Sequence, residues 1–139
     1  RRGLRDARAL LRAGRALIVF PEGYPRIDPA RPGRPAPGDA LLPFAPGAVR
    51  LAALAGGGGA EVPLVPAGLA YRLLEGPPAG GATWLRGRWE VTLRFGPALA
   101  PGDGGRAATG EAVARLAAAV GDLSRPAPGG DYARSLITR

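Results

Sequence analysis

Pro25, Pro29, Pro32, Pro35, Pro37, Pro43 and Pro46 all fall between residues 24 and 46, with Gly33 and Gly38 among them. Each proline removes a backbone donor and fixes its own φ, so neither a helix nor a ladder-forming strand persists at that density. The segment is therefore a long loop. Loops of this length in compact domains are either functional or disordered. Regular structure must be built from the shorter windows on either side of it.

Before the loop, Leu4, Ala7, Leu10 and Leu11 recur at helical spacing, which predicts a helix over 4–13. Gly14 is placed to end it in the left-handed conformation that favours glycine. The unbroken apolar run Ala16-Leu17-Ile18-Val19-Phe20 has the pattern of a strand buried on both faces of a parallel sheet. Pro21 should stop it.

After the loop, Ala48, Leu51, Ala52 and Ala55 share a face, predicting a helix over 47–55. Gly56 to Gly59 read as its exit and a linker rather than a phosphate loop, because no Lys-Ser/Thr pair follows. Val62-Pro63-Leu64-Val65-Pro66 reads as an edge strand or a broken one, with Leu69 to Leu73 continuing as extended chain. A Gly/Pro turn region over 75–83 leads to an alternating strand. Trp89, Val91, Leu93 and Phe95 take one face and Glu90, Thr92 and Arg94 the other, which is either solvated or borders a basic cleft. A last helix is predicted over 110–123, with Thr109 as N-cap.

Helix, turn, buried strand and stop indicate an α/β fold, expected as a mainly parallel or mixed sheet flanked by helices. Residues 1–125 form the expected domain and 126–139 a tail. A chain of 139 residues is enough for one core and hardly for two.

The positive charge is entirely arginine, with no lysine, histidine, cysteine or methionine, and the formal net charge is +8. That balance favours anionic partners: phosphate esters, membrane surfaces or nucleic acid. Lack of cysteine excludes thiol catalysis and disulfides; lack of histidine removes the commonest general base near neutral pH. No metal-ligand grouping is evident, since Asp28, Asp39 and Asp103 sit in turn contexts. No stretch approaches the ~20 apolar residues that span a bilayer. The chain opens without Met directly in a helix-like run, and is expected to be a fragment.

Candidate site residues cluster at the end of the apolar run. Glu22 would emerge at the carboxyl end of a strand, where ligands gather in open α/β sheets. Gly23 allows close backbone approach, and Arg26 can reach an anion; the plainer reading pairs Glu22 with Arg26 in an ordinary turn. Three stretches then occur in order. Arg15 to Gly23 ends in Phe20-Pro21-Glu22-Gly23, Leu42 to Ala52 follows, and Val62-Pro63-Leu64-Val65-Pro66-Ala67 comes last. Together they resemble the 1-acylglycerol-3-phosphate acyltransferase family, the lysophosphatidate-type enzymes of phospholipid synthesis. The first stretch looks like the family's third conserved block and the last like its fourth. Arg94-Phe95-Gly96-Pro97 is similar to its late strand exit, so the resemblance covers residues 4 to about 100.

The resemblance implies transfer of an acyl group from acyl-CoA or acyl carrier protein to the hydroxyl of a glycerophosphate-type acceptor. It also implies peripheral residence on the cytoplasmic face of a membrane. Phe20, Pro21, Glu22, Gly23 and Arg26 would shape the acceptor side, with Val62, Pro63, Val65 and Pro66 as supporting wall. No cofactor or metal is implied. Two departures limit it. Tyr24-Pro25-Arg26 stands where the family continues Thr-Arg-Ser, leaving Arg26 a substitute by proximity only. The family's histidine, separated from an aspartate by four residues, is taken to deprotonate the acceptor hydroxyl. No residue of this chain can supply it.

A different class of reading is a non-catalytic, Arg-rich module that binds anionic lipid or nucleic acid by charge. Arg5, Arg8, Arg12 and Arg15 either lie against phospholipid or form a solvated helix face. Trp84 and Trp89 beside Arg86 and Arg88 read as a hairpin with a packed aromatic rather than a nucleic-acid surface.

Overall fold

The computed structural model describes residues 2–23, 41–57, 61–75 and 88–125. Its elements are α1 (Arg2–Arg12), α2 (Gly47–Ala55), β1 (Ala67–Glu75), β2 (Arg88–Phe95) and α3 (Arg106–Leu123). Among the described residues the fold is α/β, with three helices and an antiparallel rather than a parallel or mixed sheet; α3 packs on β1, and α1 packs on α2.

The end of α1 follows from Gly14. Its φ of 74° lets Arg15 N–H donate to Leu10 O at 3.0 Å and Gly14 N–H to Leu11 O at 3.0 Å. These are the two bonds of a Schellman cap. Arg8 and Arg12 then reach across to the end of α2. Arg8 Nε donates to Leu54 O at 3.0 Å, and Arg12 donates to Ala55 O at 3.4 Å and Gly57 O at 3.5 Å. A helix C-terminus carries partial negative charge and unpaired carbonyls, so the guanidinium groups satisfy both needs. Arg8 and Arg12 are thus bonded to a neighbouring helix, though like Arg5 and Arg15 they remain exposed.

Residues 15–20 depart from expectation. They run without helix, turn or bend but join no ladder, and Ile18, Val19 and Phe20 are 90%, 47% and 76% exposed. The run is apolar enough for the middle of a sheet, and no strand of the described chain lies beside it. The parallel sheet expected around it is therefore not formed.

The sheet is instead the β1–β2 antiparallel pair, in register Ala67 to Phe95, Leu69 to Leu93 and Tyr71 to Val91. Directly opposed residues share a face, and faces alternate along each strand. Leu69, Val91, Leu93 and Phe95 lie on one face, all at least 40% exposed. Gly68, Ala70 and Arg94 lie on the other, against α3. Size decides this orientation. A Cβ on Gly68 would stand 2.5 Å from the Leu123 backbone carbon, so α3 approaches only where a side chain is missing. Arg94 is half-buried, and its guanidinium donates to Leu123 O at 3.0 Å and Arg125 O at 2.8 Å, closing the C-terminal end of α3.

Val62–Pro66 is the broken strand its prolines imply, reduced to one antiparallel bridge between Leu64 and Leu99. Helix α3 begins earlier than predicted. Asp103 Oδ1 accepts from Gly105 N–H at 2.8 Å, and Gly105, with extended backbone, is the N-cap. Thr109 therefore lies inside the first turns, 3% exposed, with its Oγ1 unpartnered among the described residues. Val49, Ala112 and Leu116 form the core cluster, with Phe44, Leu64, Leu99, Val113 and Val120 packed on it. Trp84, Arg86, Asp28, Asp39 and residues 126–139 lie outside the described residues, as do most of the expected loop and of the 75–83 turn.

Candidate functional site

The Phe20–Gly23 segment is a tight turn. Gly23 N–H donates to Phe20 O at 3.1 Å, and Gly23 has φ 81°, a left-handed conformation costing a residue with a Cβ about 1 kcal/mol or more. No described residue stands within 4 Å of where its Cβ would be, so among the described residues the turn presents open backbone. The glycine is required by conformation, and the open space is what a ligand would need for close approach.

Two bonds tie this turn to the far end of the proline-rich segment. Glu22 Oε2 accepts from Leu42 N–H at 2.7 Å, and Ala45 N–H donates to Pro21 O at 2.8 Å. The carboxylate therefore has a structural partner. It is half-buried and accepts a short, charge-assisted bond, which is worth more than a neutral one. The local pairing with Arg26 cannot be compared, because Arg26 lies outside the described residues. Leu42 itself is buried, so the clamp also holds a core side chain in place.

The four supporting-wall residues are differently situated. Pro66 is fully buried, Val62 is half-buried, and Pro63 and Val65 are exposed. Leu64 and Leu99 exchange two bonds at 2.8 Å, and Gly96 N–H donates to Pro66 O at 2.9 Å. This stretch is thus fastened to the exit of β2, whereas the Phe20–Gly23 turn is fastened to the approach to α2. The two are linked through the core: Phe44, next to the clamped Ala45, and Leu64 both pack on the Val49–Ala112–Leu116 cluster. Phe20 points largely to solvent rather than into a wall.

Reading the sequence missed Leu42 as the partner of Glu22. A backbone donor twenty positions away leaves no mark in side-chain identity. No group of three or more metal-ligating side chains gathers among the described residues. No helix among them is long and apolar enough to cross a membrane. No protein-family model matches the chain, and neither a curated protein nor a solved structure is significantly similar to it.

Proposed function

We propose that this chain is the acceptor-side portion of a glycerolipid O-acyltransferase. The reaction is acyl transfer from acyl-CoA or acyl carrier protein to the hydroxyl of a lysophospholipid-type acceptor, at the cytoplasmic face of a membrane. Glu22 and Gly23 would shape the acceptor pocket, with Arg26 as the nearby cation for its phosphate and Val62 to Pro66 as the wall. The general base must come from outside these residues, since the chain has no histidine. Alone it binds but does not turn over.

The observation that carries this reading is the clamp itself. Pro21 and Glu22 of the first block are bonded to Ala45 and Leu42 of the second, and the second shares its core cluster with Leu64 of the last. Three blocks that resemble one family in sequence order are thus linked in space. The engagement of Arg8, Arg12 and Arg94 at helix ends weighs against the purely electrostatic alternative.

Co-sedimentation with anionic liposomes and with DNA across a salt series tests the proposal. Binding to liposomes that survives high salt and is competed by a lysophospholipid supports it. Binding to both that collapses with salt and ignores the competitor means charge alone, since such binding is steeply salt-dependent. A Gly23→Ala chain is strained by about 1 kcal/mol or more at a φ of 81°, a cost small enough for it to fold, and should lose the competition by lysophospholipid.

A further inference from the structure

We draw no further inference here: the strongest candidate, the apolar outer face of the β1–β2 pair bearing Leu69, Val91, Leu93 and Phe95, is uncovered only among the described residues, and nothing in the structure shows what covers it.

Discussion

Glu22 is the residue on which the local structure turns, because its carboxylate closes the proline-rich segment at Leu42. Removing it in Glu22→Ala strands the Leu42 amide and should lower stability by about 1–2 kcal/mol, half-exposure holding the loss near the low end for a charged bond. Glu22→Gln keeps an acceptor and should recover about half of that. Urea unfolding of the three proteins gives both values. Thr109 is the opposite case. Its hydroxyl is buried without a partner among the described residues, so Thr109→Val removes a desolvated group while preserving shape. That substitution should be neutral or raise stability by up to about 1 kcal/mol, visible as an unchanged or higher melting temperature.

Helix ends and strand faces carry the next level of organisation. Arg94 joins β2 to the last turn of α3, and Arg8 and Arg12 join α1 to the last turn of α2. Arg94→Met keeps the apolar stem but removes the donors and the charge, and should cost about 1–2 kcal/mol. Hydrogen exchange should show the loss first as faster exchange at Val120 to Ser124, with β2 less affected. The helices were legible because capping and periodicity are local: Gly14 ended α1 as its position implied, and Gly47–Ala55 was read correctly. Strand 88–95 was legible by alternation, but not which face is covered. That depended on Gly68 and Ala70, small residues across the ladder that let α3 approach. The run 16–20 misled for a related reason: its composition suits a sheet interior, and composition does not say whether a neighbour exists. Thr109 looked like a cap because the Asp103–Gly105 turn, which starts α3 earlier, resembles any Gly-rich loop.

Across the whole molecule, a small core of Val49, Ala112 and Leu116 supports two apolar surfaces that the described chain does not cover, the 16–20 run and the outer face of β1–β2. Exposed patches of this kind mark interaction sites more often than they occur by chance. The proposed acceptor turn stands at the end of one of them. Backbone amide chemical shifts, followed by NMR while 1-acylglycerol 3-phosphate is added below its micelle concentration at high salt, test the central claim most directly. The account predicts saturable shifts centred on Gly23, Leu42 and Ala45, absent when glycerol 3-phosphate or a single-chain sulfate detergent is added instead. Shifts spread over the arginine-bearing surfaces, equal for all three additives and abolished by salt, would contradict it.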